Sequence, residues 1–372
     1  MWKKRVIVVL TWAIVILFIP GCWDQDFLKD TRLSYILAFD RTDEGKIKQT
    51  VIIREMPTQE QAQPLNEVYS ATGYTSRQTS DILRRKITGN VRYYKTRVFL
   101  LGKSLVKNNI YPFLDPVYRD PENPVNTQLA VVDGEAGKIL EKKKIGNRLI
   151  GEFINKLLQN QEELSMFPKE SMQSVYPVML DPGQDFLLPY IRMANDEITA
   201  QGSAMFHGQH FTGTLDPYQT ILYRILAGDP GKTARLTRQV IPGSSEDPLN
   251  FMSVEIQNSK RDFKLTIGNN DDIDVFIRCM INAEVPEFPR NKLHNTTVRN
   301  KLNDTLSKML TKEAESIINK LQKAQCDAFG IGRELMAHHP EVWQKKKWSE
   351  DYPKVRFHTK IQVEITGSGI LN

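Results

Sequence analysis

"VRNKLNDTLSKMLTKEAESIINKLQKAQ", residues 298–325, is the longest helical pattern in the chain. Leu302, Leu306, Met309, Leu310, Ile317, Leu321 and Ala324 recur on one side of it, and Lys301, Lys308, Lys312, Glu315 and Lys320 occupy the other. Strands bracket it. "DIDVFIRCMINAEV" (272–285) reads as a long apolar strand, and "VRFHTKIQVEI" (355–365) alternates as a half-buried strand does. Further upstream, "FMSVEIQNSKRDFKLTIG" (251–268) reads as a hairpin. A helix set among strands and hairpins, with no alternating strand–helix repetition, predicts an α+β protein with mixed or antiparallel sheets and packed helices.

The first half reads the same way. "RLSYILAF", "DRTDEG" and "KIKQTVIIR" (32–54) give strand, turn and strand, with Gly45 supplying the permissive turn backbone. Residues 57–72, polar and rich in Gln, read as a surface loop. "TSDILRRKITG" (79–89) is a helix, and "TRVFLLGKSLV" (96–106) a buried strand leading into a helix. Four prolines mark "YPFLDPVYRDPENPV" (111–125) as a rigid link. "NTQLAVVDG" (126–134) is a strand and "NRLIGEFINKLLQNQ" (147–161) a helix.

Between Phe167 and Arg192, Pro168, Pro177, Pro182, Gly183 and Pro189 interrupt regular structure, which sets a main boundary near Ala194–Gln201. The expected units are a signal peptide (1–21), an N-terminal α+β region (22–196) and a C-terminal α+β domain (197–372). After the boundary come strands "QGSAMFHG" and "HFTGTL", then a helix with Asp216 as N-cap, Pro217 at its first position and Gly228 after its last turn.

The N-terminus has its own character. Lys3, Lys4 and Arg5 precede an apolar run from Val6 to Ile19, which ends at Pro20-Gly21-Cys22. This run is at or below the roughly 18–20 residues of a spanning helix, and its flanks are those of a cleaved signal peptide. Cleavage before Cys22 removes three positive charges, lowering the formal charge from +6 by three. The basic pI is therefore weak evidence for nucleic acid, and the remaining mild positive charge suits an anionic lipid surface.

The chain holds 372 residues, 40% hydrophobic and 25% charged, the balance of an ordinary globular protein. Its three cysteines, Cys22, Cys279 and Cys326, are too few for a disulfide scaffold. Cys279 and Cys326 could pair, although Cys279, inside "VFIRCMI", reads as a buried free thiol.

Catalytic and cofactor signatures are missing from the sequence. "GDPGKT" (228–233) and "LLGKS" (100–104) imitate phosphate loops, but Leu226 and Arg97 stand where the loop's first glycine belongs. His207 and His210 in "HGQH" lack a carboxylate or thiol at ligand spacing, and His338-His339 lacks the zinc-protease pattern. No G-x-S-x-G elbow occurs. We expect no enzyme activity, cofactor, metal or nucleic-acid partner.

Ile19-Pro20-Gly21-Cys22 resembles the lipobox of bacterial lipoproteins, in which the cysteine thiol takes a diacylglyceryl group. Two acyl chains make a durable anchor where one is reversible. "GCWDQDFL" (21–28), "RVFLLGKSLV" (97–106), "GSAMF" (202–206) and "GIGRELMAHHPEVW" (330–343) together resemble the Ger(x)C family, the C subunits of spore nutrient germinant receptors. The resemblance implies a non-enzymatic lipoprotein, anchored through Cys22 to the spore inner membrane with its body outside the cytoplasm. It further implies assembly with A and B subunits, a role in nutrient-triggered germination, and three compact units that would divide region 22–196 in two. A lipid-anchored nutrient-binding protein is the alternative. His339 and Trp343, a proline-stopped helix with a following aromatic, read as core.

Overall fold

The computed structural model describes residues 31–55 and 65–368, with Trp2 and Arg5 as isolated positions. The predicted signal peptide and Cys22 lie outside these residues. Two large sheets organise the described chain, which is α+β throughout.

The first sheet begins with β1 (Thr31–Arg41), β2 (Ile47–Glu55), β3 (Leu65–Gly73), β4 (Asn90–Arg92), β5 (Val98–Gly102) and β6 (Gln128–Val132). A small hairpin, β7 (Lys144–Ile145) and β8 (Arg148–Leu149), follows. Then β9 (Leu187–Ala194), β10 (Glu197–His207) and β11 (His210–Leu215) complete the sheet. Its order is β11-β10-β9-β6-β5-β1-β2-β3, with β4 beside the start of β1. The central strands β9, β6, β5 and β1 run parallel, and antiparallel pairs extend both sides.

Helices α1 (Ser76–Lys86), α2 (Lys103–Val106), α3 (Tyr111–Arg119), α4 (Ala136–Glu141), α5 (Ile150–Glu163) and α6 (Met172–Met179) accompany this sheet. Leu83, Leu114 and Val175 of α1, α3 and α6 pack with Phe99 and Leu101 on one face. Ile139 of α4, with Ile154 and Leu158 of α5, packs with Ile36 and Leu100 on the other. Every residue of β5 is buried, so its sequence is an unbroken apolar run.

The second sheet has the order β12 (Ala234–Gln239), β13 (Phe251–Ile267), β14 (Ile273–Glu287), β15 (Arg356–Gly367). Helices α7 (Pro217–Ala227) and α8 (Thr296–Lys323) cover one face, and α9 (Ile331–His338), α10 (Pro340–Trp343) and α11 (Trp348–Asp351) fill the turn back to β15. As expected, Asp216 caps α7, accepting from the Gln219 amide at 2.9 Å, and Gly228 takes a left-handed φ of 79°.

β15 is an edge strand, and α8 covers its edge. Asn303 Oδ1, Ser307 Oγ and Thr311 Oγ1 accept the amides of Ile365, Val363 and Ile361 at 3.0, 2.9 and 3.0 Å. Four helical residues advance about 6 Å and two strand residues nearly 7 Å, so the two ladders stay in step over this length. The polar stripe closes an edge that would otherwise template further pairing.

Several local expectations are corrected. Residues 251–267 form one strand, because β14 pairs with it along nearly its whole length; the hairpin turn falls at 268–272, where Asn270 and Asp271 are left-handed. The proline-rich 111–119 segment is helix α3: Pro112 sits in the first turn, where no amide bond is lost, and Leu114 anchors it in the core. Residues 65–73 are an edge strand whose polar composition reflects partial exposure. The proline-interrupted 167–192 stretch contains α6 and most of β9. Near the expected boundary, Asn195 and Asp196, both at positive φ, turn β9 into β10, and both strands lie in the first sheet.

Candidate functional site

Two carboxylates, one before β9 of the first sheet and one after α8 of the second, hold distant segments together. Asp185, just before β9, uses Oδ1 to accept the Gly208 amide at 2.6 Å and Oδ2 to accept the Asp327 amide at 2.8 Å. Its own amide donates to the Asp327 carbonyl at 3.0 Å. His207 Nδ1 lies 3.1 Å from the same Oδ2. Thus the β10–β11 turn, the segment before β9 and the segment after α8 meet at one side chain.

Asp327 carries the contact onward. Its Oδ1 accepts the Ile331 amide at 3.0 Å, and Oδ2 accepts the Gly332 amide at 2.8 Å and Trp348 Nε1 at 3.0 Å. Burial pushes its carboxyl up to about 7, against the lowering effect of those donors. The hydrogen bond to Asp185 raises the His207 imidazole, despite its partial burial. Burial also raises the neighbouring Cys326 thiol.

Two glycines permit the approach. A Cβ on Gly332 would lie 2.6 Å from Trp348 Nε1 and 2.7 Å from Gly183 Cα, and one on Gly183 would lie 2.7 Å from the Gly332 carbonyl carbon. The Arg333 amide donates to the Gly183 carbonyl at 2.8 Å across this contact. Chemically the arrangement is a clasp: its carboxylates are occupied by amide and indole donors. Its cysteine is buried away from solvent.

The other sequence candidates scatter. Cys22 is outside the described residues. His207 joins the clasp, whereas His210 stands exposed across the turn. Among the described residues no group of three or more His, Cys, Asp or Glu side chains is placed to hold a metal ion. Lys103 of "LLGKS" pairs with Asp133 at 2.7 Å, and the Gly231 amide of "GDPGKT" donates to Ser165 Oγ at 2.9 Å. Cys279 and Cys326 are separate buried thiols. Lys301, Lys308, Lys312 and Glu315 form the solvated side of α8, whose apolar side lies on the second sheet. His339 links α9 to α10 through backbone bonds, and Trp343 packs on Trp348 at 5.7 Å.

Asp185 and Asp327 belong to no motif in the sequence. Asp327, set in "CDAFGIG" four residues before a helix, carried a weak capping signal; Asp185 carried none.

Two family comparisons span this architecture. Residues 24–193 match the spore germination protein N-terminal domain, and residues 201–369 match the spore germination B3/GerAC-like C-terminal domain. The chain belongs to the Ger(x)C family of spore germination proteins. Family relatives include spore germination protein GerQC of Bacillus cereus, 24% identical over 97% of this chain and 98% of that protein. Spore germination protein KC of Bacillus subtilis (strain 168) is 21% identical over 100% of this chain and 98% of its own length. The crystal structure of the GerBC protein shares the fold: TM-score 0.55, 19% identity, 89% of this chain and 96% of that one. Within the family architecture, the Asp185–Asp327 clasp links the two matched regions, and "GIGRELMAHHPEVW" supplies the Ile331 and Gly332 amides that Asp327 accepts.

Proposed function

We propose that this chain is the lipid-anchored C subunit of a spore germinant receptor, required for nutrient-triggered germination and acting by assembly with A and B subunits rather than by catalysis. Residues 1–21 are its signal peptide, and Cys22 carries the diacylglyceryl group. The protein sits at the spore inner membrane with its body outside the cytoplasm. Regions 22–196 and 197–372 are family modules that fold together, since a β-hairpin joins them. The observation that carries this reading is the family match beginning at residue 24, directly after the lipobox-like Ile19-Pro20-Gly21-Cys22. Among the described residues no helix is long and apolar enough to cross a membrane.

Replacing Cys22 with alanine tests the anchor. The variant is expected to leave the spore membrane fraction and to lose the nutrient response. Wild-type partitioning and germination in that variant would overturn the reading.

A further inference from the structure

The lipid attachment proposed at Cys22 lies nine residues before Thr31, the first residue of β1. Fully extended, nine residues reach about 30 Å, so the end of the first sheet at which β1 enters is held close to the bilayer. The surface around that end has one dominant sign.

The β7–β8 hairpin stands there. Asn66, at the start of β3, donates to the Lys143 carbonyl at 3.2 Å, and Glu152, just after the hairpin, meets Arg54 at 2.6 Å. Arg54 and Asn66 pair in register, and Arg54 opposes Leu33, two residues into β1. The hairpin exposes Lys143, Lys144 and Arg148, none of which has an ion-pair partner among the described residues. Lys95 and Arg97, leading into β5 at the same end, are exposed and likewise without an ion pair. Of the nearby carboxylates, Glu152 is paired with Arg54, Glu122 with Arg92 at 3.1 Å and Asp196 with Lys142, while Glu67 accepts from the Tyr69 hydroxyl at 2.9 Å and keeps its charge. Two exposed apolar side chains, Leu65 at 54% and Tyr94 at 39%, stand among the cations.

We infer that this face, centred on Lys143, Lys144 and Arg148, docks the protein body on an anionic phospholipid surface. The inference rests on the anchor at Cys22, which sets which end of the body is near the bilayer. Basic side chains bind anionic headgroups within a Debye length of about 8–10 Å, and a tether of at most about 30 Å keeps the face near enough for its own charge to close that distance. An aromatic and an aliphatic residue among them suit the interfacial zone. The basic side of α8 has no such link to the anchor and is not the docking face.

The test uses the full-length lipidated protein, reconstituted into phosphatidylcholine vesicles with or without phosphatidylglycerol and labelled with a water-soluble amine reagent. Association with both vesicle types reports the anchor on its own. Docking predicts that Lys143, Lys144 and Lys95 are labelled several-fold more slowly on phosphatidylglycerol vesicles, that Lys308 and Lys312 are unaffected, and that high salt removes the difference. In the Lys143→Gln, Lys144→Gln, Arg148→Gln variant, protection of Lys95 should disappear, since each cation contributes roughly fivefold and three roughly a hundredfold to surface affinity. Anchored protein with equal labelling on both vesicles would overturn the docking face while leaving the anchor intact. So would protection seen only in spore membranes, which would assign the face to a protein partner. A protein that binds neither vesicle would instead overturn the anchor and, with it, the docking inference.

Discussion

The two sheets solve the burial problem differently. The first is covered on both faces, and its central strands β5 and β6 read as apolar runs with almost every residue buried. The second is covered on one face, and β14 alternates strictly inward from Ile273 to Val285. On its open face, Arg278 and Met280 are solvent-exposed. A sheet with two apolar faces is intolerant everywhere, while a one-faced sheet is intolerant only at every second residue.

The largest effect should come from the two-faced sheet. Phe99→Ala, at a fully buried position packed edge-on against Phe39, is expected to cost about 3–5 kcal/mol, read as a lower urea midpoint. A loss below 1 kcal/mol would show that this core relaxes like a surface.

Next comes the clasp, where the comparison concerns how the two sheets are joined. Gly332→Ala places a methyl against backbone and indole, with an expected cost of about 1–3 kcal/mol. Proteolysis should report faster cleavage near residues 181–185 and 327–333. An unchanged cleavage pattern would mean the two segments separate freely.

The same clasp should respond to pH. Asp327 is raised to about 7 and His207 is raised, so in both cases the folded state holds its proton more tightly than the unfolded chain. For Asp327 this stabilisation is complete below the ordinary carboxylate range and is lost as pH rises through about 7. For His207 it is complete below the ordinary imidazole value and is lost as pH rises through its elevated folded value. Thermal stability should therefore fall as pH rises from just above the ordinary carboxylate range through about 7 and on through the raised His207 value, and Asp327→Asn should flatten the part of that slope up to about pH 7 while lowering stability at every pH. A slope unchanged in the variant would place the titration elsewhere.

Smaller effects belong to the one-faced sheet. Ser307→Ala removes the acceptor of the Val363 amide and should cost about 1 kcal/mol, with faster hydrogen exchange at Val363 than at Ile361. Met280→Thr, on the open face, should change stability by no more than about 0.5 kcal/mol. A larger loss would mean that another surface covers this face.

Much of this was legible in the residues. The first hairpin, the buried run "VFLLG", the Asp216–Gly228 helix and helix α8 all carry local signals: period, caps or uninterrupted hydrophobicity. The misread segments fail for equally local reasons. The prolines of "YPFLDPVYR" predict a rigid link, yet Pro112 occupies the first turn that tolerates it and α3 also carries Pro116 inside it. In β13 the polar "QNSKRD" reads as a turn, yet from Asn258 on its side chains alternate between exposed and half-buried, and β14 fixes its register. Asp185 escaped notice because nothing within several residues of it forms its site; its partners Gly208 and Asp327 are 23 and 142 positions away.

By itself the sequence determined the α+β class, the lipobox-like Cys22 and the family resemblance, because periodicity, capping and short motifs are written over neighbouring residues. Tertiary structure alone decided that a basic hairpin stands beside the entrance of β1, that α8 seals the edge of β15, and that two aspartates clasp the sheets. Those features depend on contacts between residues far apart in the chain, and only the closed fold brings their hydrogen-bonding groups within about 3.2 Å.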